Sequence, residues 1–203
     1  MSKGKFAKRR GVATKTLVMA LAIMLVVGCT IGGTLAWLTA ESGQVTNTFT
    51  VGDINISIAE TSGTSFKIVP GGTAAKDPAI TVQAGSEKCY VYALVTNTVK
   101  LTDGTVVAVP QINSDWTAIG SNGDKTLYVY KEAVDASNAT ADVELTDVFS
   151  TVKYSDSITK DNIDTLNNTT IIVQGYAHQS ENTTQDVANS AALKWAGITV
   201  SGS

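Results

Sequence analysis

The chain has 203 residues, 43% of them hydrophobic, with 15 basic residues against 18 acids. Six of the basic residues (Lys3, Lys5, Lys8, Arg9, Arg10 and Lys15) precede the first acid, Glu41, so the rest of the chain carries a net charge of about −9. That balance excludes a nucleic-acid partner, whose phosphates need a basic surface, and disfavours docking on anionic lipid.

The first element is a leader. Behind the basic residues, Leu17 to Ile31 is an almost wholly apolar run of 15 residues, short of the ~20 needed to span a bilayer core. Basic flank, apolar run and small residues after it form the pattern of a secretory signal peptide. An uncut N-terminal anchor, lengthened by Leu35 to Leu38, is the competing reading. Three cuts are open. Val26-Val27-Gly28-Cys29 fits a lipobox and would place a lipid on Cys29. A second cut follows Ala36, with Thr34 and Ala36 as the small residues a signal peptidase requires. A third follows Ala40. Any cut beyond Cys29 leaves Cys89 as the single cysteine, so no internal disulfide can form. Cys89, within the apolar run KCYVYALV, is expected to be a buried small hydrophobe.

Beyond the leader, Asp53, Asn55 and Ser57 alternate with Ile54, Ile56 and Ile58, the period of a half-buried antiparallel strand. Short strands are expected over Phe66 to Val69, ended by Pro70-Gly71-Gly72, and over Ala79 to Gln83. Cys89 to Thr96 has few polar residues on either face and reads as a central strand. Asp103-Gly104 and Asn122-Gly123 are tight-turn pairs, the first between Val99–Leu101 and Thr105–Val109, the second between Trp116–Ile119 and Leu127–Lys131. Val152 to Tyr154 and Thr169 to Ala177 are later strands, separated by a polar loop or short helix over Thr159 to Leu166. One helix is expected over Thr184 to Ala196. Thr183 or Thr184 caps it, Asp186 lies in its first turn, and Gly197 stops it. Val187, Ala191 and Trp195 fall at i, i+4 and i+8 and predict its apolar face. About nine short strands with turn signals between them predict an all-β sandwich with one or two short helices, preceded by an N-terminal signal helix. Trp116 and Trp195 are expected in the core.

Gly32, Gly33, Thr34, Ala36 and Trp37, followed by Asn47, Thr48, Phe49 and Gly52 and then an alternating strand, form a pattern that resembles the TasA/camelysin family. These are secreted proteins of Gram-positive bacteria, processed by a SipW-type signal peptidase. Similarities continue through Val69-Pro70-Gly71, Lys76-Asp77-Pro78, the CYVYALV strand and Tyr176-Ala177-His178-Gln179, although His178 stands where an apolar residue is expected. The resemblance implies a cut after Ala36, with Trp37 at or near the mature N-terminus. It narrows the sandwich to a jelly roll and implies a biofilm matrix fibre subunit. The expected organisation is a signal peptide over 1–36, an extended segment and candidate donor strand over 37–50, and a β-sandwich domain over 51–203.

Catalytic apparatus is not evident. His178 is the only histidine, which excludes an H-E-x-x-H zinc site, and no Gly-x-Ser-x-Gly elbow accompanies it for a serine triad. The metalloprotease label of camelysin relatives therefore does not carry over, and no catalytic residue, metal or cofactor is expected. Asp161, Asn162 and Asp164 read as a solvated, helix-capping face before a loop calcium site. The functional weight falls on Trp37 to Thr50, which is poor in charge and able to pair as a strand. It can add to a neighbour's open sheet edge, with Trp37, Leu38, Val45 and Phe49 filling pockets. Burying Trp37 and Phe49 contributes on the order of 3–6 kcal/mol gross. The expected product is extracellular, in the matrix or at the cell surface, and self-associates into filaments. Its expected partners are the signal peptidase and other matrix or cell-wall components. Contact with the membrane would come only through an uncut leader or a lipid on Cys29. A surface metalloprotease and an anchored adhesin or binding module are the alternatives.

Overall fold

The computed structural model describes residues 39–41, 49–51, 53–62 and 65–199, with side chains for 53–62 and 68–199. Thirteen strands are described: β1 (Thr39–Glu41), β2 (Phe49–Val51), β3 (Ile56–Ala59), β4 (Ser65–Lys67), β5 (Thr73–Ala75), β6 (Ala79–Val82), β7 (Cys89–Asn97), β8 (Ala108–Ile112), β9 (Trp116–Asn122), β10 (Lys125–Tyr130), β11 (Val143–Glu144), β12 (Phe149–Tyr154) and β13 (Ile171–Gln179). A 3-10 turn covers Ile163–Leu166, and one helix, α1 (Gln185–Ala196), follows the last strand. Among the described residues the fold is all-β with a single α-helix, near the C-terminal end. The expected N-terminal signal helix falls on residues outside the described ones.

One sheet has the order β2-β13-β7-β10-β9. Its centre, β7, is the run CYVYALVTN, and both faces of that strand are covered. Val91, Ala93 and Val95 point to one side with Val173 and Ala177 of β13. Tyr92 and Leu94 point to the other with Leu127, Val129 and Tyr176. Two-sided burial explains why this strand is nearly continuous in apolar residues rather than alternating.

Two three-stranded sheets, β11-β6-β3 and β5-β12-β8, lie against the first of these faces and run on from each other. The Leu145 amide donates to the Ile80 carbonyl (2.9 Å), Val148 to Pro78 (2.9 Å) and Lys76 to Ser150 (3.0 Å), carrying the antiparallel pairing from β6–β11 across to β5–β12. Ile54, Ile56, Ile80, Val82, Phe149 and Val152 from this layer fill the main core. Gly175 of β13 makes the close approach possible: a Cβ there would stand 3.1 Å from Ile56 Cδ1 and 3.2 Å from Ile58 Cδ1. No disulfide occurs among the described residues, and Cys89 lies fully buried within the core, as expected from its apolar neighbours.

α1 packs on the opposite face of the five-stranded sheet. Thr184 caps it, accepting from the Val187 amide (3.4 Å), and Gly197 ends it at φ +68. The Gly197 amide donates to Lys194 and the Ile198 amide to Leu193, so buried Ile198 seals the end. Extent and caps match the sequence reading; the face does not. Ala188, Ala192 and Ala196 are buried, whereas Val187 is 56% exposed. The ladder is turned by one residue because the sheet supplies the bulk here. Tyr92 and Tyr176 fill the interface and leave room only for alanine. Trp195 is half-buried rather than central, stacked on Tyr176 with ring centroids 5.1 Å apart. Trp116 is a core residue, edge-on to Tyr130, and its indole N–H donates to the Thr146 carbonyl (2.9 Å).

Three further details differ from expectation. The strand at Phe66 to Val69 becomes β4, ending at Lys67, and the chain pairs again after the Pro70 turn as β5. The β9–β10 hairpin turns on Gly123-Asp124, because Asn122 pairs with Lys125 and Gly123 takes the positive φ of 59. Pairing is not antiparallel throughout: β2 runs parallel to β13. Parallel neighbours need a long connection, and nearly the whole domain separates these two strands.

Candidate functional site

The candidate site is the segment 37–50, here called the N-terminal arm, together with the strands that border each sheet among the described residues. Cys29, Thr34, Ala36, Trp37, Leu38 and Val45 lie outside the described residues. Phe49 does not: its backbone pairs with Tyr176 in β2, followed by Thr50 with Ala177 and Val51 with His178. The end of the arm is thus rooted on the outer edge of its own β13. β1 pairs separately with β4, Thr39 opposite Lys67 and Glu41 opposite Ser65. Each cis contact is three residues long.

β4 is carried on the connection between β3 and β5, and the base of that connection is closed by a polar clasp. Lys76 Nζ lies 2.7 Å from Glu60 Oε1 and 2.9 Å from Oε2, with both side chains about 95% buried. Next to it, Asp77 accepts from the backbone amides of Thr61 (3.0 Å) and Ser62 (2.8 Å) and from the Thr61 hydroxyl. These bonds, the Thr61 hydroxyl foremost, hold the Asp77 carboxyl down at about 2. Asp147 is shifted the other way, by burial first and then by the charges of Asp77 and Glu144. Lys76-Asp77-Pro78 was legible in sequence only as part of a resemblance. A lysine between two apolar short strands was the available hint of a buried ion pair.

His178 sits between β7 and β2, opposite Tyr90 and Val51, and its Nδ1–H donates to the Gln179 carbonyl (2.9 Å). The one histidine of the chain is thus on an inner strand and not on an edge. The strand one step further out, β2, covers this end of β13, and the ring is half-buried. Burial foremost, with the charge of Asp135, pushes the Cys89 thiol up to about 12, which makes it a poor nucleophile. Asn162 accepts from the Thr159 amide (2.8 Å) and donates to the Ser157 carbonyl (2.9 Å), so it organises its own loop. No group of three metal-ligating side chains occurs among the described residues, and none of the described helices is long and apolar enough to cross a membrane.

The sheet edges differ in how they are protected. β8 borders its sheet and carries Pro110, which has no N–H to offer. β3 borders its sheet for four residues and runs into Glu60 of the clasp. β13 is covered by β2 at Tyr176 to His178, and Ile171 to Gly175 have no strand on that side among the described residues. β9 borders the five-stranded sheet at the end opposite β2, with seven residues, WTAIGSN, and neither charge nor proline. The chain matches no family model, no curated protein and no solved structure.

Proposed function

We propose that this chain is a secreted structural protein of the cell surface or biofilm matrix, a jelly-roll-like sandwich of the TasA/camelysin type. A SipW-type signal peptidase cuts after Ala36, and the freed N-terminal arm then polymerises the protein into fibres by strand addition. The role is structural rather than catalytic. Before cleavage the membrane-held leader keeps the arm from a partner.

The observation that carries this reading is the rooting of the arm at a sheet edge. β2 forms a strand on β13 immediately after residues 37–48, so a chain cut at Ala36 begins 12 residues before a strand seated at a sheet edge. The three-residue β1–β4 pairing that engages part of it in cis is short enough to exchange for a longer one. Backbone pairing gives affinity, and Trp37, Leu38 and Val45 supply the side chains that fix register in a neighbour. Phe49, within β2, roots the arm at its base.

Deletion of Trp37 to Thr46 tests the reading. The truncated protein is expected to stay a folded monomer, by circular dichroism and sedimentation, and to form no filaments by electron microscopy. Filaments of normal length and number from that truncation would overturn it. Sequencing the N-terminus of the secreted protein checks the cut, with Trp37 as the expected first residue and a lipid-modified Cys29 as the contrary result.

A further inference from the structure

We infer that the acceptor for this arm is the outer edge of β9 (Trp116–Asn122) on a second copy of the chain; this rests on the strand-addition reading above. Three observations converge on that edge. The first is chemical. Natural sheets blunt their edges with lysine, proline, β-bulges or very short strands. β8 carries Pro110 and β3 has four residues, whereas β9 has seven and no charged residue or proline. Its one irregularity is a bulge: Gly120 pairs with Leu127 and Ala118 with Tyr128, so Ile119 is the extra residue. The bulge bends the edge without charging it. Thr117, Ala118, Ser121 and Asn122 are all exposed.

The second observation is topological. The sheet order β2-β13-β7-β10-β9 puts the root of the arm at one edge and β9 at the other. An arm that leaves at β2 and pairs with β9 of the next copy uses two different surfaces. Such a contact is head-to-tail and does not close, which is what a filament needs. Ile171 to Gly175 of β13, which no other described strand covers on that side, lie on the edge from which the arm leaves, where exchange between two copies would be reciprocal and close as a dimer. Reach is sufficient, since residues 37–48 extended span about 40 Å, more than the width of a five-stranded sheet.

The third concerns backbone groups. A two-residue turn over Gly123-Asp124 makes Asn122 and Lys125 a hydrogen-bonded pair. By alternation, Ser121 directs its own amide and carbonyl away from β10, towards an added strand. Its side chain is exposed, so replacing it leaves the core untouched.

The experiment uses the chain processed at Ala36. Ser121→Pro removes one outward N–H, and Ser121→Lys places a charge on the edge. Both variants are expected to keep the monomer's circular dichroism and to lower pelletable polymer by about tenfold or more. Unchanged polymer from two folded variants would overturn the inference. Should either misfold, disulfide trapping decides. Ser121→Cys on one copy and Thr46→Cys on another are mixed and oxidised, with Cys89 buried and out of reach. A cross-linked dimer that forms only in the mixture supports the β9 edge. Filaments assembled from the mixture without any such cross-link overturn it. The two readings separate cleanly. If the deletion of Trp37 to Thr46 still polymerises, strand addition itself fails. If the deletion abolishes polymer and the Ser121 variants do not, only the choice of edge fails.

Discussion

Asp77 and Lys76 are adjacent and handle charge in opposite ways. Lys76 is buried against Glu60, so removing one partner strands the other. Lys76→Ala is expected to cost about 3–5 kcal/mol in denaturant unfolding, and a paired Lys76→Met, Glu60→Leu replacement to recover most of it. Asp77 sits nearer solvent and works through hydrogen bonds. Its pKa falls from an ordinary 3.8 to about 2 in the folded chain. The stability this provides is present above the ordinary carboxylate range and is lost as pH falls from about 4 towards about 2. Asp77→Asn is therefore expected to flatten the acid limb of a stability–pH profile in that window. Asp147 has the opposite sign, since its raised pKa makes the ionised form a burden in the folded state. Asp147→Asn should raise the melting temperature at neutral pH, and an unchanged or lower value would contradict the geometry. The acids were visible in the sequence as a scatter. Which was clasped and which was crowded depended on chain segments 16 to 70 residues apart.

At the level of elements, helix α1 is the clearest local reading. Thr184, Asp186 and Gly197 fix its ends by backbone chemistry that acts within one turn. Gly197→Ala forces a side chain into φ +68 and is expected to cost about 1 kcal/mol. The buried face was not legible, because it depends on what the sheet offers. Val187, Ala191 and Trp195 form as good an apolar ladder as Ala188, Ala192 and Ala196. Tyr92, whose hydroxyl donates to Asn189 (2.9 Å), and Tyr176 select the alanine ladder. Ala192→Leu should therefore wedge the helix off the sheet and destabilise by about 1–3 kcal/mol, whereas Val187→Ala changes little. Thermal melts of the two variants check this directly. The strands repeat the pattern: β7 was plain from its composition, whereas β5 and β11, two or three residues long, take their pairing from neighbours.

For the molecule as a whole, the sandwich follows from turn signals and strand periods, and its third layer follows from one capped helix. The sheet order does not follow from either. It places the root of the N-terminal arm and the uncharged β9 strand at opposite edges of one sheet, and filament formation as proposed depends on that separation. By itself the sequence determined the all-β class, the helix ends and the central strand. Each of these is written in local chemistry: periods of two, capping residues and residue types. Only the tertiary structure decided the parallel seat of β2, the Lys76–Glu60 clasp, the helix face and which strands border each sheet among the described residues. Those depend on contacts between residues far apart in the chain, where many sequence-compatible arrangements exist and packing selects one.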